Sequence, residues 1–138
     1  MTDIVLVHSS DLHVDNDPTQ GPYGEDGTTG LRVVLEAGKS HNADFVLLVG
    51  DVFDNNRQPA HILDRSTELL ANAGRPVLIL PGNHDPVTPD SVYLRSEMAK
   101  LPNVHIIGVT HEQVVHFPEA DVAEIGRASC RERVLRLV

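Results

Sequence analysis

Phe45-Val46-Leu47-Leu48-Val49-Gly50-Asp51-Val52-Phe53-Asp54 is the stretch on which the reading of this chain turns. Five apolar residues without polar alternation predict a strand buried on both faces, closed by Gly-Asp. Two other runs have the same form. Ile4-Val5-Leu6-Val7 leads into His8-Ser9-Ser10-Asp11-Leu12-His13, and Val77-Leu78-Ile79-Leu80 leads into Pro81-Gly82-Asn83-His84-Asp85. Helical patterns separate these runs. Leu31, Val34 and Leu35 predict a helix over about 29–38 ending at Gly38. Pro59 suits a helix first turn. Ile62, Leu63, Leu69 and Leu70 form an apolar stripe behind it, with Gly74 as the cap. A short helix is predicted at 91–99, and further strands at 104–107 and 114–117. Strands alternating with helices predict an α/β fold with a largely parallel sheet.

Ligands of such sheets lie beyond the carboxyl ends of the strands. Each of the first three strands here ends in a cluster of Asp, Asn and His. Asp11 and His13, two residues apart, point the same way if the backbone is extended. Asp51 and Asp54 follow the second strand; Asn83, His84 and Asp85 follow the third. Carboxylate, imidazole and amide oxygen together suit divalent cations such as Mn²⁺, Fe²⁺ or Zn²⁺. A carboxylate can bridge two such ions. A pair roughly 3.5–4 Å apart supports displacement at phosphorus, so the clusters predict metal-assisted phosphoester hydrolysis.

Composition narrows the class. Acidic residues outnumber basic ones 20 to 11, the net charge is −9 and 41% of residues are hydrophobic. That balance argues against a surface that coats nucleic acid. No apolar run approaches the roughly 18–20 residues of a spanning helix, so no membrane partner is expected. The start Met1-Thr2-Asp3 lacks signal-peptide character, which predicts a cytoplasmic protein. Cys130 is the single cysteine, which excludes a disulfide framework or a cysteine zinc site.

Taken together, Asp11-Leu12-His13, Gly50-Asp51-Val52-Phe53-Asp54 and Gly82-Asn83-His84-Asp85 resemble, in order and spacing, the first three motifs of the calcineurin-like metallophosphoesterases. The resemblance covers residues 4–117. It implies the N-terminal part of a four-layer α/β/β/α sandwich around two divalent metal ions, with Mn²⁺ first and Fe²⁺, Zn²⁺ or Mg²⁺ as alternatives. It implies Asp11 and His13 on the first metal, Asp51 bridging both, and Asn83 on the second. His84 would contact the substrate phosphate and help protonate the leaving oxygen, with Asp85 orienting His84. Asp54 would stand beside the ligands and Arg57 beside the substrate, although a solvated loop charge explains Arg57 equally well. Residues 50–59 and 76–85 look like the SbcD-like DNA repair exonuclease branch. That implies a DNA substrate and an ATPase partner subunit. The alternatives are a nucleotide or cyclic-nucleotide phosphodiesterase, and a non-catalytic binding module on the same fold.

The family completes its site with later Gly-His and Gly-His-x-His motifs, and neither occurs in this chain. The resemblance therefore implies a truncated domain whose second sheet lies beyond this chain, and an inactive fragment. Glu124–Val134 resembles the translation of a common short-read sequencing adapter. On that reading residues 1–123, with net charge −11, are the partial domain, and 124–138, with net charge +2, are a non-native tail. Asp15-x-Asp17-x-Thr19 starts like a calcium loop, but Gln20 stands where that loop needs glycine. The 15–30 loop is either a specificity loop or an ordinary solvent loop. His8 is expected to pack at a strand end. His41, His61 and His105 read as surface or packing residues, and His111 and His116 receive no role.

Overall fold

The computed structural model describes residues 4–16, 27–110, 114–117, 122–129 and 132–136, the last three segments as backbone strands. Its elements in order are β1 (Leu6–Ser9), α1 (Thr29–Ser40), β2 (Phe45–Val49), α2 (Ala60–Ala71), β3 (Val77–Leu80), α3 (Val92–Arg95), a 3₁₀ turn (Met98–Lys100), β4 (Val104–Ile106), β5 (Val114–Phe117), β6 (Val122–Ser129) and β7 (Glu132–Arg136). The first four strands form a parallel sheet in the order β1-β2-β3-β4. The α/β reading therefore holds.

Alternate residues of β2, β3 and β4 face opposite ways. Val46, Leu48, Val77, Ile79, Val104 and Ile106 pack with Leu31 and Leu35 of α1 and with Ile62, Leu63 and Leu70 of α2. The two helices thus share one face, as same-handed crossovers between successive neighbours require. Phe45, Leu47, Leu78, Leu80 and Ile107 form a second buried cluster. Burial on both faces is why these strands read as continuous apolar runs.

Several boundaries differ from the predicted ones, each for a physical reason. β1 lies at 6–9 rather than 4–7, because His8 and Ser9 pair with Leu47 and Leu48 although they are polar. Val5 is tied to the Asp44 carboxylate, which accepts its N–H at 2.7 Å. Helix α1 runs past Gly38 to Ser40. Gly38 lies against the sheet, where a Cβ would stand 2.9 Å from Val46 Cγ2. It is a contact residue, not a stop. Arg75 donates to the carbonyls of Gly38 at 2.6 Å and Ala43 at 2.8 Å, which ties the end of α1 to the turn before β3. Pro59 precedes α2 with extended backbone rather than lying in its first turn. The predicted helix at 91–99 is divided, because Ser96 is extended between α3 and the 3₁₀ turn.

The expectation that a second sheet lies beyond the chain is overturned. β5, β6 and β7 form a three-stranded antiparallel sheet. Val122, Ile125 and Val134 supply branched residues that favour strands. His111, the side chain of His116, Asp17 and Thr19 fall outside the described residues, as does most of the 15–30 loop. Among the described residues no helix is long and apolar enough to cross a membrane.

Candidate metal centre

The polar clusters meet because the ladder of the parallel sheet continues past its strands. The Asp11 N–H donates to Gly50 O at 3.0 Å, His13 to Asp51 O at 3.0 Å and Val14 to Val52 O at 2.8 Å, while Gly50 donates to Leu80 O at 2.6 Å. Val14 and Phe53 close this extension with a parallel bridge. The loops after β1, β2 and β3 are thereby stitched side by side.

The expected extended backbone between Asp11 and His13 is not found. Asp11 has φ +55°, His13 +49° and Asp51 +52°, all left-handed. Such a backbone costs a non-glycine residue about 1–2 kcal/mol, and strain of this kind gathers at functional sites. The loop coils, yet its two side chains still converge: His13 Nε2 lies 3.8 Å from Asp11 Oδ1. Asp11, His13 and Asp51 offer ligand atoms within 4.8 Å of one another. Two carboxylates and one imidazole at this separation form a set that a hard or borderline divalent cation satisfies.

His13, Asp54 and His84 form a second such group, but here hydrogen bonds use the nitrogens. Asp54 Oδ1 lies 3.1 Å from His13 Nδ1, and the Asp54 carbonyl oxygen lies 2.9 Å from His84 Nδ1. A carboxylate and a carbonyl only accept, so both Nδ1 atoms carry the hydrogen. The lone pair of each ring is then on Nε2. For His13 that is the atom on the Asp11 side. The rings of His13 and His84 meet edge to face, 5.0 Å between centroids. Asp54 therefore fixes two imidazoles at once, one through its side chain and one through its backbone.

The loop after β3 clasps the loop after β2 in both directions. Asp51 Oδ1 accepts the His84 N–H at 2.8 Å. The fully buried Asp85 carboxylate accepts in return from Asp51 N at 3.2 Å, Val52 N at 3.0 Å and Phe53 N at 3.2 Å, and from Gly82 N at 2.7 Å. The Tyr93 hydroxyl also donates to it. This corrects the orienting role expected of Asp85: its oxygens hold the backbone of 51–53, and the Asp54 carbonyl holds His84. Burial pushes the Tyr93 phenol well above its usual range, and the adjacent Asp85 adds to the effect.

Asn83 and His84 are exposed on this loop. Arg57 is exposed too, and its N–H is held by Asn55 Oδ1 at 2.8 Å. His8, His41 and His61 are exposed, and His61 Nε2 lies 2.8 Å from Asn16 Oδ1.

Sequence reasoning passes over Asn56 and Arg95. Asn56 Nδ2 donates to Pro86 O at 3.0 Å, and Asn56 Oδ1 accepts from Val92 N at 3.2 Å. Arg95 donates to the carbonyls of Asn56 and, at 3.0 Å, Asp90. The contacts of Asn56 span thirty residues or more, and no local pattern announces them.

Gly82 tests how tightly the clasp fits. A Cβ there would lie 2.3 Å from Asp51 Oδ1 and 2.6 Å from Asp51 N. Gly82→Ala is expected to push the Asp51 carboxylate aside and weaken Mn²⁺ binding by about tenfold or more, as displaced ligand supports do. Calorimetric titration with Mn²⁺ checks this; an unchanged affinity refutes the crowding argument.

A parallel α/β sheet with carboxylates and imidazoles gathered at its carboxyl edge defines a metal-centre scaffold of hydrolytic type. Residues 4–131 match the calcineurin-like phosphoesterase family, and the chain belongs to it. It is 31% identical over 97 residues to the uncharacterized metallophosphoesterase YhaO of Bacillus subtilis, covering 62% of this chain and 24% of that protein. It is 30% identical over 104 residues to the DNA double-strand break repair protein Mre11 of Archaeoglobus fulgidus, covering 72% and 24%. With the SbcD component of the SbcCD nuclease of Escherichia coli K12 it shares 28% over 85 residues, covering 59% and 21%. The chain thus spans about a quarter of the length of these relatives. Among solved structures, the nuclease MPE of Pseudomonas putida aligns with a TM-score of 0.43 at 16% identity, covering 74% of this chain and 46% of that one. The family uses divalent metals, and this chain carries groups of His and Asp able to hold one.

Proposed function

We propose that this chain is the N-terminal part of a cytoplasmic, metal-dependent phosphodiesterase of the DNA exonuclease type. The convergence of Asp11, His13 and Asp51 carries the proposal. Asp11 and His13 Nε2 would hold one divalent ion, Asp51 would be shared, and Asn83 would serve a second. The donor set fits Mn²⁺ first. When bound, such a pair supplies charge neutralisation at phosphate and a water acidic enough to react near neutral pH. The protein's own contribution is placement. His84, held at Nδ1 by the Asp54 carbonyl, presents Nε2 to a phosphate oxygen and to the leaving oxygen that takes a proton. Arg57 stands on the neighbouring loop as a cation for the incoming strand. Similarity to Mre11 and to the SbcD component of SbcCD supports DNA as the substrate and an ATPase as partner. Residues 124–138 stand apart from the domain in this proposal as adapter-derived sequence, and the 138-residue chain by itself is inactive.

The test uses the uninterrupted reading frame beyond Ala123. The product is expected to hydrolyse bis(p-nitrophenyl) phosphate with Mn²⁺, to release nucleotides from linear DNA, and to lose both activities after chelation by EDTA. Full activity after exhaustive chelation refutes the metal mechanism. Cleavage of a cyclic nucleotide with DNA left intact refutes the exonuclease branch.

A further inference from the structure

We propose that Tyr93 is a positioning residue for the cation site: its hydroxyl, by donating to Asp85, holds residues 51–53 in the backbone geometry that presents Asp51 to a divalent cation. The proposal rests on the metal reading above. Asp85 and Tyr93 are each 0% exposed. Asp85 Oδ1 accepts from Asp51 N and Gly82 N, and Oδ2 accepts from Val52 N, Phe53 N and the Tyr93 hydroxyl. A carboxylate offers about four lone-pair sites, so Asp85 is saturated. Its position is set by its donors as much as it sets theirs.

Four of these five donors are backbone groups of the two loops that Asp85 joins. Tyr93 is the fifth, and it comes from outside both loops. It is therefore the donor that relates the clasp to the rest of the fold. The connection is firm. The Tyr93 N–H is held by Ser91 Oγ at 3.2 Å, and the preceding N–H, of Val92, by Asn56 Oδ1 at 3.2 Å. The Tyr93 ring meets Phe53 edge to face, 5.8 Å between centroids. Burial keeps the phenol protonated, hence a donor, across the neutral range. Asp51 needs such support because its left-handed backbone relaxes once the N–H groups of 51–53 are released.

Tyr93→Phe keeps the ring and removes only the donor. In the 138-residue chain it is expected to weaken Mn²⁺ binding by about tenfold, the size typical when support behind a metal ligand is lost. Amide exchange at residues 51–53 is expected to speed up selectively. Val104→Ala, which trims the core at the opposite end of the sheet, serves as the control for general destabilisation. It is expected to lower the melting temperature while leaving the Mn²⁺ affinity unchanged. Equal Mn²⁺ affinity in Tyr93→Phe and the unaltered chain overturns the role of Tyr93 and leaves the metal reading standing. The same loss in Val104→Ala also overturns it. No Mn²⁺ binding by the unaltered chain overturns the metal reading, and this proposal with it.

Discussion

Asp51→Asn is expected to abolish Mn²⁺ binding at the convergent site and to lower Mn²⁺-dependent phosphodiester turnover by about a thousandfold, the scale of the several kcal/mol that metal-assisted charge stabilisation supplies. The fold is expected to survive. Asn Oδ1 can still accept the His84 N–H that Asp51 accepts at 2.8 Å, and the N–H groups of 51–53 still reach Asp85. What disappears is a negative charge among Asp11, His13 and Asp51, whose ligand atoms lie within 4.8 Å of one another. Without a cation that charge only adds to repulsion with Asp11. The variant is therefore expected to melt no lower than the unaltered chain while failing to bind. Calorimetry with Mn²⁺, run beside a thermal melt, separates the two effects. A variant that binds Mn²⁺ with native affinity removes Asp51 from the site.

Asp85→Ala has the opposite signature. It is expected to destabilise the chain by about 4 kcal/mol or more, because it leaves a set of buried donors without an acceptor and each orphan costs roughly 1–3 kcal/mol. The N–H groups of 51, 52, 53 and 82 and the Tyr93 hydroxyl all lose their partner. Water reaching the cavity offsets part of the loss, so the sum is smaller than five separate penalties. Urea unfolding measures it. Asp64→Ala, at an exposed position of α2, is the comparison and is expected to change stability by less than about 0.5 kcal/mol. If Asp85→Ala proves as mild as Asp64→Ala, the buried clasp is not what holds the loops.

Much of this is legible in the sequence. Apolar runs mark residues buried on both faces, so Phe45–Val49 and Val77–Leu80 can be read to their ends. The shift of β1 by two residues has the same root: apolarity reports burial, whereas strand pairing uses backbone groups that His8 and Ser9 also possess. The convergence of Asp11, His13 and Asp51 follows from their common position after successive parallel strands. Their backbone does not, because nothing in Asp-Leu-His announces a left-handed coil. The partners of Asp85 are hidden for another reason. Its bonds run to main-chain N–H groups more than thirty residues away, and every residue except proline carries such a group. Tyr93 reads as one more core aromatic until its hydroxyl has a destination.

The ladder bonds running beyond β1, β2 and β3 have a kinetic consequence. Asp11, His13 and Val14 bond to residues 50–52, Asp54 to Val14, and Gly50 to Leu80. None of these loops can swing away alone, since opening one unzips its neighbour from the same edge. In native-state hydrogen exchange, the amides of 11–14 and 50–54 should therefore open together as one cooperative unit. Cation release would then be gated by the breathing of the sheet's carboxyl edge, a collective motion rather than the exchange of a single side chain.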